Sequence, residues 1–460
     1  MPEVPSSILI VGSGVFGLST AYAFTQRPEY ANTKITVIDR SPFPSPDGSS
    51  IDTSRIIRAD YSDPAYAAFA AEAQTTWRKT SPHDLGGEGR YIESGLVLVC
   101  NEGMNPYVKE SFENVRTMCG YEGAVHELPD RSAIEKAVKT GGGSGNWGYL
   151  TQLLLCEIEL TDLDQRSGWA DAQASMIFLH HLASSTNRIT FLIGTATSLI
   201  FSPSSSVLGV NLSPSQQLHA DLTILATGAW TPSLIDLRGR ATATGQTLCY
   251  LPLTSLEQAS LSSMPIFFNM SDGCFIIPPR NQILKVARHA YGYSNPVTIR
   301  NPSPPSTAAY EKQITISLPR TTWDEPQQLV PSEGIAASRT ALISMIPSLS
   351  TRAFTSARMC WYTDTPTGDF LITHHPSHSG LFLATGGSGH GFKFLPVIGE
   401  RIVDAVGGTL ETPLRERWRW RSDEEIEGLN GDCEDGSRSG QPGLVLREEM
   451  ERDAKKGSKS

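Results

Sequence analysis

The start of the chain constrains it most: Ile8-Leu9-Ile10-Val11 runs directly into Gly12-Ser13-Gly14-Val15-Phe16-Gly17. A continuous apolar run of this kind suits a strand buried on both faces of a parallel sheet. The six residues after it fit G-x-G-x-x-G. In that pattern the first glycine permits a tight turn, the second lets backbone approach a pyrophosphate, and the third lets helix and strand pack closely. Leu18 to Thr25 is apolar enough for a packed helix, whose N-terminus offers free N–H groups and a positive dipole end to phosphates. Ile35-Thr36-Val37-Ile38 is the next strand. Asp39 closes it, 22 residues after Gly17, where a carboxylate accepts hydrogen bonds from ribose hydroxyls. The glycine pattern alone is weak, because Gly143-Ser144-Gly145-Asn146-Trp147-Gly148 matches it too. That second copy follows a polar loop with no strand before it and is rejected.

A chain of 460 residues is comfortable for two domains, and 39% hydrophobic residues can bury a core. The balance of 38 Lys+Arg against 48 Asp+Glu, net −10, with no basic stripe, argues against nucleic acid. No run approaches the roughly 18 apolar residues that a membrane span needs. Ile8–Val11 has no basic region before it and reads as fold, not as a secretion signal. Seven scattered cysteines without a C-x-x-C pair point to a reducing compartment and away from zinc or a disulfide framework.

Further along, helices are expected over Ala65 to Trp77 and Trp169 to Ala183. Strands are expected at Gly95–Val99, Ile189–Ile193, Leu222–Ala226 and Leu381–Ala384, and a loop at Gly141–Gly148. The fold class is α/β: a Rossmann-like domain assembled from 1–80, 150–238 and 343–422, with a mostly antiparallel β domain inserted as 81–149 and 239–342. Residues 423–460, rich in Gly, Ser and charge, read as a partly ordered tail. The buried strand Thr223–Ala226, ending in Thr227-Gly228-Ala229-Trp230, resembles the second strand-to-loop contact of FAD enzymes of the glutathione-reductase type.

Four further blocks follow the fingerprint in order. They are Asp52-Thr53-Ser54-Arg55-Ile56-Ile57-Arg58-Ala59-Asp60-Tyr61, then Ile283-Leu284-Lys285-Val286-Ala287-Arg288-His289, then Arg358-Met359-Cys360-Trp361-Tyr362-Thr363-Asp364-Thr365-Pro366, and finally Ala384-Thr385-Gly386-Gly387-Ser388-Gly389-His390-Gly391-Phe392-Lys393-Phe394. With them the chain resembles the monomeric sarcosine oxidase family, which also holds the fungal fructosyl amine, pipecolate and saccharopine oxidases. The resemblance covers most of residues 5 to 410, and Asp435-Gly436-Ser437-Arg438 looks like the tail of the fungal branch.

The resemblance implies FAD bound by Gly12, Gly14, Val15, Phe16 and Gly17, by Asp39 and Arg40, by Ser54 and Arg55, and by Ala226, Gly228 and Trp230. Gly387, Gly389, Gly391, Phe392 and Lys393 complete the cofactor site, with Cys360 joined to the flavin 8-methyl carbon through a thioether. Lys285 would lie near flavin N5, its cation stabilising developing superoxide. Arg55, His289, His390 and Tyr362 would be polar groups of the active site. Arg58 and Lys393 would clamp the substrate carboxylate, a task that suits the planar fork of a guanidinium, and Phe275 would line the pocket. A helix near Pro396 would aim its positive end at the flavin. Two arginines three apart would share a helical turn or flank a tight loop.

The implied function is oxidation of a secondary amine or N-alkyl amino acid by a monomer, with hydride transfer to flavin N5 giving an imine and, from oxygen, hydrogen peroxide. Alternatives within the family are a fructosyl amino acid, saccharopine or pipecolate oxidase, or a fungal tailoring enzyme of secondary metabolism. Fructosyl amine oxidases often carry Asn-Lys where this chain has Ser54-Arg55 and tend to lack an arginine at the position of Arg58; both positions here look like those of sarcosine, pipecolate or saccharopine oxidases. A flavin scaffold without turnover, or a dehydrogenase feeding another acceptor, would not need Lys285. An NAD-linked dehydrogenase is disfavoured by the single credible fingerprint. The closing Ser458-Lys459-Ser460 approaches the Ser-Lys-Leu peroxisomal address without matching it. The cytosol is therefore the expected compartment, and the peroxisome the alternative.

Overall fold

Residues 4–101, 105–118, 123–152, 167–304, 311–323, 330–429, 431 and 433–457 are described by the computed structural model. Ser7–Val11 forms the expected buried strand, and it lies inside a six-stranded sheet. The order across that sheet is Leu371–His374, Leu381–Thr385, Leu222–Leu225, Ser7–Val11, Lys34–Asp39 and Ile189–Ile193. All neighbours are parallel except the first pair. Ile8, Leu9, Ile10 and Val11 are all buried because helices cover one face and further β structure the other. The helix Val15–Gln26 begins inside the glycine pattern and packs against Ala172–Ser185 and Ile398–Val406.

The second sheet is mostly antiparallel and is built around the long strand Thr242–Pro252. Ser356–Asp364 pairs with that strand along one edge, from Thr242 opposite Asp364 to Tyr250 opposite Ser356. Ile283–Arg288 pairs along the other, with Tyr250 opposite Lys285. Strands alternate their side chains between two faces. Lys285 and His289, four apart, therefore share a side, as do Cys360 and Tyr362, two apart.

Several local expectations change. Trp169 is not helical: Gly168–Ala170 is a strand, and the helix starts at Ala172 because Asp171 caps it, accepting from the Ala174 amide at 3.0 Å. Arg55 and Arg58 do not share a helical turn. Arg55–Ile57 is a short strand paired with Gly168–Ala170, as two consecutive isoleucines favour, and Arg58 follows its end. The glycine loop ends earlier than expected, since Trp147–Thr151 is already a strand, with no helix after the rejected second glycine pattern.

The last stretch is not loose. Asp423–Glu427 is helical, Leu444–Val445 pairs with Tyr293–Ser294, and Leu446–Gly457 is a helix. Between them Ser437 and Arg438 are buried. Composition gave little sign of these elements because the partners of this stretch lie elsewhere in the chain. No helix among the described residues is long and apolar enough to cross a membrane.

Candidate functional site

The glycine pattern works at close quarters. Gly12 has φ +105°, and a Cβ there would stand 2.4 Å from the Ala226 carbonyl oxygen. A Cβ on Gly17 would lie 1.9 Å from the Gly12 carbonyl oxygen, so helix and strand could not approach. The Val15 amide at the helix start donates to Ser50 Oγ at 3.0 Å. Asp39 accepts from the Ser13 amide and hydroxyl, each at 2.8 Å, and from the Ser45 hydroxyl at 2.9 Å. Arg40 pairs with Asp47, and its guanidinium lies 4.2 Å from the centre of the Trp230 ring.

These groups line one cavity, in which Gly12, Asp39, Arg40, Ala226, Gly228 and Trp230 all take part. A second cavity shares Gly14, Ser49, Ser50, Ala226 and Gly228 with it as a common wall. Into that second cavity come Val15 and Phe16 from the first helix, Arg55 and Arg58, Phe275, Lys285 and His289, and Cys360 and Tyr362. Gly387, Gly389, His390, Gly391, Phe392 and Lys393 form another part of its wall. Five separated blocks thus converge on one cleft. Gly17 and Ser54 are not in its wall: Gly17 serves helix–strand packing, and the Ser54 carbonyl accepts from Lys285.

Two networks fix the polar groups. In the first, Asp52 accepts from Lys285 Nζ at 3.1 Å and from the Tyr250 hydroxyl at 3.0 Å, pairs with Arg55, and lies 3.6 Å from Arg358. Burial pushes the Asp52 carboxyl up, but Lys285, Arg55 and Arg358 outweigh it and hold the group below the usual carboxylate range. Burial pushes Lys285 down to about 8, with Asp52 opposing that shift. Arg55 also donates to Cys360 Sγ at 3.7 Å.

In the second network, Lys393 Nζ donates to the Tyr61 hydroxyl at 2.7 Å, and that hydroxyl lies 2.8 Å from His390 Nδ1. His390 Nε2 lies 2.8 Å from the Gly368 carbonyl oxygen. A carbonyl only accepts, so Nε2 carries the proton and Nδ1 accepts from Tyr61. Arg58 donates to the Tyr107 hydroxyl at 3.1 Å through Nη2, while its Nη1 is buried with no hydrogen-bond partner among the described residues. Burial, then the Arg58 charge, lowers Lys393 well below the usual lysine range. His390 and His289 are likewise lowered well below theirs, by burial and then by Lys393 and Arg438 respectively.

Asp52, Tyr61 and Arg438 are parts of these networks that the sequence did not assign. Asp52 and Tyr61 stand inside a block already singled out, at its two ends. Arg438 donates to His289 Nδ1 at 2.9 Å and to the Ser388 carbonyl at 3.0 Å, and pairs with Asp364. The only signal for it was the short Asp435–Arg438 run. The helix expected near Pro396 runs Ile398–Val406, its Gly399 amide donating to Ser19 Oγ at 3.0 Å, and Gly391, Phe392 and Lys393 of the turn before it line the cleft.

A family model described as FAD dependent oxidoreductase matches residues 7–405. Amino acid oxidase imqH of Aspergillus flavus is 34% identical over 452 residues, covering 87% of this chain and 93% of its own. L-saccharopine oxidase of Schizosaccharomyces pombe is 28% identical over 443 residues, covering 93% and 96%. Among solved structures, the deglycating fructosamine oxidase (Amadoriase II) of Aspergillus fumigatus superposes with a TM-score of 0.77 at 26% identity, covering 96% of this chain and 95% of that one.

Proposed function

The chain belongs to the FAD dependent oxidoreductase family, and we propose that within it this protein is an oxidase of secondary amines or N-alkyl amino acids that uses oxygen as acceptor. The relatives named above are an amino acid oxidase, a saccharopine oxidase and a fructosamine oxidase, which fits an amine substrate. The residues present fit FAD. One cavity offers glycine backbone and the Asp39 carboxylate, two of whose donors are serine hydroxyls that can rotate away to admit ribose hydroxyls. The adjoining cavity offers an apolar wall with cations and Cys360, which we take as the point of covalent attachment. When bound, the flavin accepts a hydride equivalent from the carbon beside nitrogen and passes the electrons to oxygen, yielding an imine and hydrogen peroxide.

The single observation that carries the reading is Arg58 Nη1, a buried guanidinium nitrogen without a hydrogen-bond partner among the described residues, in a cavity that also holds Lys393. Buried polar groups are normally satisfied, and a carboxylate that bridges the two cations supplies what is missing. On this reading Arg58 and Lys393 orient the acid. His289 and His390, both neutral, face the amine, which binds in its neutral form so that its lone pair assists hydride loss, and Phe275 and Tyr362 shape the side-group pocket. Lys285 supplies the charge that favours reduction of oxygen. The expected working unit is a monomer.

A peroxide-release screen over secondary and N-methyl amino acids tests the proposal. We expect peroxide from at least one member, accompanied by anaerobic bleaching of the flavin. Bleaching without peroxide on readmission of oxygen would make the protein a dehydrogenase. Failure of every member to bleach it would remove the amine assignment.

A further inference from the structure

We propose that Asp52 is a positioning residue for the oxygen half-reaction: its carboxylate anchors the Lys285 ammonium in the cavity wall and supplies its counter-charge. The inference rests on the role proposed for Lys285 and goes one residue further.

The side chains of Asp52 and Lys285 are each 2% exposed, and they meet at 3.1 Å. A buried lysine without a counter-charge sheds its proton readily. The groups around Lys285 come from three parts of the chain. Asp52 and Arg55 lie on the 52–58 block, Tyr250 stands opposite on Thr242–Pro252, and Arg358 lies on Ser356–Asp364. Asp52 is the one carboxylate among them, beside three cations. Two of those cations have other partners. Arg55 Nη2 donates to the Ser49 carbonyl at 2.9 Å, and Arg358 donates to the Ile51 carbonyl at 2.8 Å and the Tyr250 hydroxyl at 3.0 Å. Among the described residues Lys285 donates only to Asp52 and to the neutral Ser54 carbonyl. Removing the carboxylate therefore strips Lys285 of its sole opposite charge while the repulsion from Arg55 and Arg358 persists. The two arginines keep their other partners.

The arrangement makes a signed forecast. Loss of the Asp52 charge lowers the pH at which Lys285 loses its proton, whereas loss of the Arg358 charge raises it. A merely structural role would damage both variants in the same direction. In the holoenzyme, the rate of reoxidation of reduced flavin by oxygen should fall as pH rises through about 8. In Asp52→Asn that fall should come about 1–3 pH units lower, the usual range for a charge partner at this distance. In Arg358→Met it should come higher.

The second readout is independent of turnover. Competitive acetylation of Lys285, followed by mass spectrometry in holoenzyme and in flavin-free protein, should show the same ordering of its titration. An unchanged titration of Lys285 in Asp52→Asn overturns the proposal. If that variant does not fold, Arg358→Met decides: a downward shift or none at all overturns it. Lys285→Met separates the two levels. Unchanged reoxidation in that variant removes the oxygen role of Lys285 itself. Slowed reoxidation there, with a wild-type pH profile in Asp52→Asn, removes only Asp52.

Discussion

Arg58 and Lys393 hold two buried positive charges in one cavity, and Asp60 is the carboxylate that opposes the depression of Lys393. An anionic substrate changes that balance, which makes binding a protonation event. Lys393 titrates well below its ordinary range in the free protein. A carboxylate beside it favours the ammonium, so binding takes up protons wherever free Lys393 is neutral, and affinity falls as pH rises. A non-oxidisable carboxylate mixed with the enzyme in weakly buffered indicator dye should therefore raise the pH, and Lys393→Met should abolish the change. Absence of uptake in the unmodified protein at every pH would show that Lys393 stays charged throughout. Arg58→Ala should weaken a carboxylate substrate by about 2–5 kcal/mol, the usual loss when one partner of a desolvated charge pair is removed. The decarboxylated amine should be poor for the wild type and little affected by the change. Equal oxidation of acid and amine by the wild type would remove the clamp.

At the level of elements, the segment around Arg438 reaches into the site from far along the chain. Its guanidinium side chain is fully buried, pairs with Asp364 and donates to His289. Truncating one partner of a buried pair costs about 3–5 kcal/mol because the other charge is left alone. Arg438→Ala should show that loss in urea unfolding, and Arg438→Ala/Asp364→Asn should recover part of it. Additive losses in the double variant would mean that the pair is not coupled.

This segment also marks where sequence reading stops. The Ile8–Gly17 unit was legible because each glycine answers a local steric demand: Gly12 its positive φ, Gly17 its contact with the Gly12 carbonyl. Lys285 and His289, or Cys360 and Tyr362, could be matched to a family, but their shared face depends on strand spacing. For Arg55 and Arg58 the spacing left a helical turn or a tight loop open, and strand pairing of Arg55–Ile57 rules out the helical turn. Asp52 and Arg438 appeared only as members of matched runs, since Lys285 and Asp364, the partners that give them their place, lie more than 70 positions away.

At the scale of the whole molecule, the two largest of the five sheets among the described residues meet along the cleft, and the cofactor would touch strands of both. Ligand that binds only the folded state stabilises it by mass action, about 2.7 kcal/mol at a hundredfold excess over Kd. If Cys360 holds the flavin covalently, acid-precipitated wild type stays yellow and Cys360→Ala releases its flavin to the supernatant. The stripped variant should then melt at a lower temperature than holoenzyme and regain stability with added FAD in a concentration-dependent way. A colourless wild-type pellet would remove the thioether, while an FAD-insensitive melting point would show that the cleft does not bridge the sheets energetically.

The order in which a ribosome delivers these parts adds a consequence. The cleft begins at Gly12, and the guanidinium that holds its His289 arrives with Arg438, so a nascent chain carries the fingerprint long before it can complete the site. At cellular elongation rates that interval is roughly 20–90 s. If the protein releases peroxide as proposed, such a delay keeps the nascent chain catalytically silent until His289 has its Arg438 partner.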